Sequence, residues 1–491
     1  MILKDILKDI SVLNKTAEDA LEITGVCYDS RKVQPGDLFV AVRGYESDGH
    51  RFIPMAVEKG CAAVLCEEAP AVEIPYVITD DSRLSLALSA RNFYRDPSSE
   101  MKIIGITGTN GKTTTVTLLK QLLEQSLGAK VGLVGSVCNM IGDEEFHTEH
   151  TTPESCDLQK LFRTMADAGC THCVMEVSSH SLVLHRVAGV QFEVGLFTNL
   201  TQDHLDFHNT MEEYAKAKAL LFPHCNHAAA NADDAWAPVV MEHAVAPVYT
   251  FSDGGEATLT ARDVSVSTAS VSFTACEGEN SCPVKLNLPG RFSVQNAMAV
   301  IACGRLLGVS LEECAEALAV AKGAKGRVEP VPTDGDYSIF IDYAVTPDAI
   351  ENVLKTLRAV TKGRLVMLFG CGGDRDRKKR PIMGRIACEL SDFVVVTSDN
   401  PRTEKPEDII EEILVGVREY DTPYTVIADR PAAIEWAIEN HRSGDVILLC
   451  GKGHEDYQII GKTKIHMDER EIVAEVLAKR ANRGVATAEK M

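Results

Sequence analysis

Short apolar runs bounded by glycine, proline or charge recur along the chain, and most precede stretches whose apolar residues return at helical spacing. The runs read as buried strands and the stretches as helices packed on them. In the first segment the strands are Asp37 to Val42, Ala62 to Cys66 and Tyr76 to Thr79, and Tyr94 to Glu100 reads as a linker. Lys102 to Thr107 opens a second segment. A glycine loop follows, then a helix patterned by Val116, Leu119, Leu122 and Leu123. Cys173 to Val177 and Val194 to Thr198 are further strands, while 261–275 alternates with strand period, as a small antiparallel addition would. A third segment holds Ser338 to Asp342, Arg364 to Gly370, Asp392 to Thr397 and Asp445 to Gly451, each ending in a loop rich in glycine or charge.

Strands alternating with helices predict an α/β chain. Its length suits three domains, placed at 1–98, 99–330 and 331–491, the central and C-terminal ones doubly wound on mainly parallel sheets. Met1 to Lys15 alternates lysine and aspartate among leucine and isoleucine. It reads as a surface helix without the apolar core and cleavage site of a secretory signal. No apolar run reaches the roughly 20 residues of a membrane span.

Composition narrows the function. The chain has 491 residues, 45% apolar and 25% charged, which argues against disordered and fibrous classes. Lysine and arginine number 50 against 71 acidic residues, so the net charge is −21. Such a chain repels nucleic acid and anionic membranes, and any phosphate it binds must sit in a local positive pocket. Fifteen scattered cysteines fit reduced thiols and a cytoplasmic location better than a disulfide framework.

That positive pocket is legible. Gly108-Thr109-Asn110-Gly111-Lys112-Thr113-Thr114 lies between a strand and a helix. Glycines let backbone N–H groups face phosphate oxygens, the helix N-terminus adds positive potential, and Lys112 supplies a mobile charge. Thr113 is placed to reach Mg²⁺. The spacing departs from the strict phosphate-loop pattern, with Ile106 where a glycine is usual. The loop implies a nucleoside triphosphate without specifying a reaction. Glu176, at a strand end, suits an oxygen-seeking cation. Asp203, His204, Asp206 and His208 crowd one short stretch, and a zinc reading of them is weak because no cysteine pair lies nearby at zinc spacing. Lys216 and Lys218 stand two apart on a helical pattern, so they point to different faces: one to solvent, the other to the site.

On the third segment, Gly370 to Pro381 is strongly cationic and reads as an anion receptor. Asp399-Asn400-Pro401-Arg402 combines an acceptor, an amide and a guanidinium, which suits a zwitterionic amino acid. Gly451-Lys452-Gly453-His454-Glu455 adds a carboxylate. In open parallel sheets ligands gather at such strand ends.

Taken together, Tyr28-Asp29-Ser30-Arg31, TGTNGKTT, Thr151-Thr152-Pro153, Glu176 to His180, Asn199 to Asp206, Leu288 to Asn296, Gly326-Arg327, Asp342-Tyr-Ala, GCGGDRD, DNPR and GKGHE resemble the Mur ligase family, ATP-dependent enzymes that build the peptide stem of bacterial cell-wall precursors. The set most resembles the branch that extends UDP-N-acetylmuramoyl-L-alanyl-D-glutamate, and its DNPR loop the form that adds meso-2,6-diaminopimelate. L-lysine or another diamino acid is the alternative nucleophile.

The resemblance implies that Ser30, Thr151, Thr152, Ser178 and Arg186 hold the UDP substrate. It places Gly108 to Thr114, Asn296, Arg327 and Asp342 on ATP, and Arg375, Asp399, Asn400, Pro401, Arg402, Gly451 and Glu455 on the amino acid. Mg²⁺ would be served by Thr113, Glu176, His204 and Lys218, the last as a carbamate derived from CO₂. Lys112, Lys218 and His204 are the implied catalytic residues, with His180 or phosphate as other candidate bases. ATP would phosphorylate the γ-carboxylate of the D-glutamate unit, and the amine would capture the acyl phosphate, with closure of the third domain excluding water. Neither nucleic acid nor a membrane span is implied, and a monomer is expected. Val345 stands where many relatives carry histidine, and Leu184 where some carry glutamine. A folylpolyglutamate-synthetase-like ligase, a nucleotide-driven switch and a non-catalytic binding module are the competing readings. Only the ligases use the third segment's loops.

Overall fold

The computed structural model describes residues 1–44, 47–148, 150–245, 247–267 and 269–488. They form two compact units by contact, Met1–Ala261 with Ala275–Cys282 and Gln295–Ala317, and Arg262–Thr274 with Pro283–Val294 and Leu318–Met491.

The first unit opens with a five-stranded sheet in the order Val12–Lys15, Tyr76–Thr79, Ala63–Cys66, Asp37–Val40, Gly25–Cys27. All neighbours are parallel except the first pair. The surface helix expected over residues 1–15 is not found. A helix covers only Leu3–Ile6, where the two apolar residues are buried. The chain reverses through Asp9 at φ 63, and Val12–Lys15 then pairs antiparallel with Tyr76–Thr79. The lysine–aspartate alternation supplies one buried apolar pair and no second turn to anchor, so the backbone satisfies itself at a sheet edge instead.

The larger sheet of this unit runs Tyr249–Ser252, Cys225–Asn231, Phe192–Phe197, Lys102–Thr107, His172–Glu176, Val131–Val134, all parallel. Asn139–Ile141 and Glu144–Phe146 extend it antiparallel. Lys102–Thr107 is buried on both faces, as a central parallel strand must be. Chain order reverses around it, which opens a crevice at its carboxyl end. The helix Lys112–Leu127 packs behind, with Val116, Leu119, Leu122 and Leu123 buried. The alternating stretch is strand, Leu259–Val266, Val271–Glu277 and Asn280–Leu286.

The second unit carries a six-stranded sheet in the order Glu329–Val331, Ser338–Asp342, Val446–Cys450, Leu365–Phe369, Phe393–Val396, Tyr424–Val426. Only the first pairing is antiparallel. Alternate strand residues enter two cores. Phe340, Met367 and Leu448 pack with Ile350, Met383 and Ile413 on one face. Ile339, Leu368 and Ile447 pack with Ile434 and Val473 on the other. Period two on the strands and helices on both faces make this half doubly wound. No helix among the described residues is long and apolar enough to cross a membrane.

Candidate functional site

In the first unit the phosphate loop is fixed from below. Gly108 takes φ 149, and a side chain there would run into the Thr198 hydroxyl. Gly111 takes φ 84, and a Cβ there would lie 2.5 Å from Asn296 Oδ1. Asn199 threads the loop: its carbonyl accepts Thr109 N–H at 2.8 Å and its Oδ1 accepts Asn110 N–H at 2.9 Å. Thr198 Oγ1 donates to the Asn110 carbonyl at 2.7 Å. Lys112 folds back so that Nζ lies 2.9 Å from the carbonyl oxygens of both Gly108 and Thr109.

Lys218 is buried beneath the same loop and donates to the Gly108 carbonyl at 2.9 Å, with Nζ 4.4 Å from the Tyr214 ring centre. Burial first, and then the charge of Lys112, holds its amine well below the usual lysine range. Lys216 instead reaches solvent and pairs with Glu212 at 2.7 Å. The two faces expected of this lysine pair are therefore resolved.

Thr113 Oγ1 donates to Glu176 Oε2 at 3.1 Å, so the threonine and the strand-end carboxylate stand together at the mouth of the loop. Ser136, which sequence reasoning missed, donates its N–H to Glu176 Oε1 at 2.8 Å, and its hydroxyl lies 3.2 Å from Thr151 Oγ1. The available signal was its place just past the Val131–Val134 strand. Thr152 Oγ1 donates to the Glu176 carbonyl at 2.8 Å and accepts Ser178 N–H at 3.2 Å, while Arg186 Nη1 donates to the Thr152 carbonyl at 3.1 Å. Thr151, Thr152, Ser178 and Arg186 are thus brought together beside Glu176. Arg186 Nε is 3.4 Å from Glu154 Oε2. Glu154, Arg83 and Ser30 in turn line a cavity of about 520 Å³ at the first sheet.

His204, at φ 53, is half exposed, with Asp203 Oδ2 at 3.4 Å. Its ring is 4.9 Å from His180 and 6.1 Å from Tyr214. Among the described residues no three His, Cys, Asp or Glu side chains stand close enough to hold a metal by themselves, and the side chain of Asp206, part of the zinc reading, lies outside those described. A hydroxyl and a carboxylate beside a phosphate loop fit Mg²⁺, which keeps waters and takes phosphate oxygens to complete its shell. Leu184 is a buried apolar residue capping the Ser179–Val183 helix, so no side-chain hydrogen bond to substrate arises there.

In the second unit the strand-end loops interlock. Asp342 accepts the N–H groups of Val328 and Ala344 at 2.7 and 2.8 Å. Burial raises its carboxyl and Arg327 opposes the rise. The Arg327 guanidinium is 5.3 Å from the Tyr343 ring centre. The Val345 carbonyl accepts Lys379 Nζ at 2.8 Å.

Two cations of the Gly370 to Pro381 loop are paired with acids from outside it. Arg377 pairs with Glu412, and buried Arg380 pairs with both Glu404 and Glu412 at 2.8 Å. These acids lie on the next loop and helix, so proximity in the fold cancels charges that sequence distance kept apart. Arg375 remains exposed, with Nη1 3.3 Å from the Asp374 carbonyl. Arg402 takes φ 50, donates its N–H to the Ile459 carbonyl at 3.0 Å and sends Nη1 to the Gly373 carbonyl at 2.9 Å.

Pro401 packs its carbonyl against Gly373, where a side chain would collide with it. Asp399 Oδ1 accepts Asn400 N–H at 2.5 Å, while Oδ2 is buried without a hydrogen-bond partner. That orphaned oxygen lies beside Gly451, whose absent Cβ would sit 2.7 Å away. Asn400 Nδ2 donates to Glu455 Oε2 at 2.9 Å.

Three family models match the chain: a Mur ligase catalytic domain over residues 22–95, the Mur ligase middle domain over 106–304, and the Mur ligase glutamate ligase domain over 326–453. The chain belongs to the Mur ligase family. It is 46% identical, over 98% of its length and 99% of the relative's, to a UDP-N-acetylmuramoyl-L-alanyl-D-glutamate--2,6-diaminopimelate ligase of Caldanaerobacter subterraneus subsp. tengcongensis. A ligase of the same description, numbered 1, from Clostridium acetobutylicum is 45% identical over 97% and 99%. A solved structure of an enzyme so described superposes with a TM-score of 0.74 at 32% identity, covering 98% of this chain and 99% of that one.

Proposed function

We propose that the chain is the ATP-dependent, ADP-forming ligase that joins meso-2,6-diaminopimelate to UDP-N-acetylmuramoyl-L-alanyl-D-glutamate in peptidoglycan precursor synthesis. The observation that carries this reading is the continuity at Glu176. Its carboxylate meets the phosphate-loop Thr113 and, through Ser136, Thr151, while its backbone carbonyl meets Thr152, which in turn meets Ser178 and Arg186. A phosphoryl donor and a carboxylate acceptor held on either side of it are what acyl-phosphate formation requires. The full-length relatives named above support the same activity.

A carboxylate does not react with an amine near neutral pH, because oxide is a poor leaving group. Transfer of the γ-phosphoryl group to the D-glutamate side chain solves this. Lys112 and the N–H groups of the Gly108 to Thr114 loop other than those of Thr109 and Asn110, which Asn199 takes, offset the charge of two anions meeting, and Asn296, Arg327 and Asp342 are assigned to the rest of the nucleotide. Thr113, Glu176, His204 and Lys218 would hold Mg²⁺, which when bound neutralises phosphate charge. The depressed amine of Lys218 supports its carbamylation, since only a neutral amine adds to CO₂. Ser30, with its cavity, is assigned to the UDP end.

Diaminopimelate carries an ammonium and a carboxylate at its far end, and lysine lacks that carboxylate. Arg375 and Arg402 are assigned to the carboxylate, and Asp399, Asn400, Glu455 and the backbone at Pro401 and Gly451 to the remaining donors. A folylpolyglutamate-type reaction would leave the Ser30 cavity and the Arg402 loop without a ligand. Fifteen scattered cysteines and the need for ATP support a cytoplasmic location.

ADP release should depend on adding both the UDP-linked dipeptide and the diamino acid. ADP formation at the same rate with either omitted, or equal kcat/KM for L-lysine and diaminopimelate, would contradict the assignment.

A further inference from the structure

Lys452 is a charged residue in the second unit to which the proposed reaction gives no task. It is wholly buried. Its Nζ donates to Asn400 Oδ1 at 2.9 Å and to Glu455 Oε2 at 2.7 Å. The same Asn400 Oδ1 accepts Ile459 N–H at 2.9 Å, and Asn400 Nδ2 donates to that same Glu455 oxygen. The amide of Asn400 is therefore oriented from both ends, and the three side chains close a ring. Burying an ammonium is costly unless a carboxylate and further acceptors meet it. Here both acceptors come from side chains assigned to the amino-acid substrate.

We infer that Lys452 is a positioning residue for the diamino acid: its buried ammonium orients the Asn400 amide and fixes the Glu455 carboxylate beside it. The inference rests on the amino-acid site proposed above. Glu455 shares this sheet edge with Asp399, whose Oδ2 is already an unpartnered buried oxygen. Without the lysine, Glu455 loses the donor that holds it beside Asn400 and swings away, and an acceptor for the substrate ammonium is lost. None of the side chains assigned to the nucleotide takes part in this ring, so the effect is expected on one substrate.

The test uses full-length enzyme bearing Lys452→Met, Lys452→Gln, Glu455→Gln or the double change Lys452→Met with Glu455→Gln. Steady-state KM is measured for diaminopimelate, ATP and the UDP-linked dipeptide. Lys452→Met should raise KM for diaminopimelate at least about tenfold, a loss of ~1.4 kcal/mol, with the other two constants within about twofold. Because Lys452 acts through Glu455, the double variant should be no worse than the poorer single variant, a non-additivity that independent roles would not give.

If Lys452→Met does not fold, Lys452→Gln, which keeps a donor, and the double variant, which removes both charges together, are judged by the same constants. Parental KM for diaminopimelate in any folded variant lacking the lysine overturns the inference. So do equal losses in all three constants, penalties that multiply, or loss of folding in every variant lacking the lysine, which would make the role structural. A parent enzyme that ignores diaminopimelate instead overturns the site assignment itself.

Discussion

Gly108 and Lys218 meet at one carbonyl, and each constrains the phosphate loop differently. Gly108 is held at φ 149 with the Thr198 hydroxyl where a Cβ would stand. Gly108→Ala adds that carbon in a backbone region that side chains avoid. The loop must move away from Thr198 and Asn199, so ATP affinity should fall about tenfold or more, read by nucleotide titration. An unchanged affinity would mean that the loop relaxes without cost. Lys218→Ala removes the buried amine and leaves the Gly108 carbonyl without that donor. If the lysine works as a carbamate, the variant should lose activity and regain part of it with added short-chain carboxylic acids. Full activity without rescue would end that assignment. Neither glycine strain nor lysine burial is written in local sequence. Gly108 could be picked out by its motif, whereas only the fold shows what it faces.

At the scale of elements, the strands of the second unit were legible nearly to the residue, because a parallel strand buried on both faces is a continuous apolar run: Ser338–Asp342 is found as expected, and Leu365–Phe369 within one residue at each end. The ties between the loops that follow them were not legible. Arg380, wholly buried, bonds Glu404 and Glu412 and the Gly372 carbonyl at 3.2 Å. Glu404 also accepts Asp374 N–H at 2.6 Å. One arginine thus staples the GCGGDRD loop to the segment after DNPR.

Arg380→Met leaves Glu404 without its cation, facing a Glu412 that keeps only Arg377. Both are partly solvated, so the cost should sit at the low end for broken buried pairs, about 3 kcal/mol in denaturant unfolding. The same pair gives a pH signature. The Arg380 guanidinium holds the Glu404 carboxyl down at about 2, against an ordinary value of 4.5. As pH falls below 4.5 the unfolded chain takes up a proton that the folded chain refuses, so stability falls between about 4.5 and 2 and is full above that window. Glu404→Gln should flatten this part of the stability–pH curve. An unaltered slope would place the acid sensitivity elsewhere.

For the whole molecule, the reaction has one atom that can be followed from end to end. Direct amide formation would release the carboxylate oxygen as water. Passage through an acyl phosphate instead places that oxygen in the phosphoryl group, because the carboxylate attacks phosphorus with its own oxygen and the later break falls between carbonyl carbon and that same oxygen. UDP-linked dipeptide labelled with ¹⁸O in the D-glutamate γ-carboxylate should therefore yield labelled inorganic phosphate, one labelled oxygen for each amide formed, by mass spectrometry of the products. Unlabelled phosphate alongside normal amide yield would show that ATP is consumed without activating the acid, and the roles given to Lys112, Thr113 and Glu176 would all fall together. The chemistry of these three residues was readable from strand, loop and residue type. Their convergence with Ser136, Thr151 and Arg186 was not, because parallel strands set side by side residues far apart in the chain. Labelled phosphate that appears when diaminopimelate is withheld would separate the first step from the second, and would show water entering where the amine should.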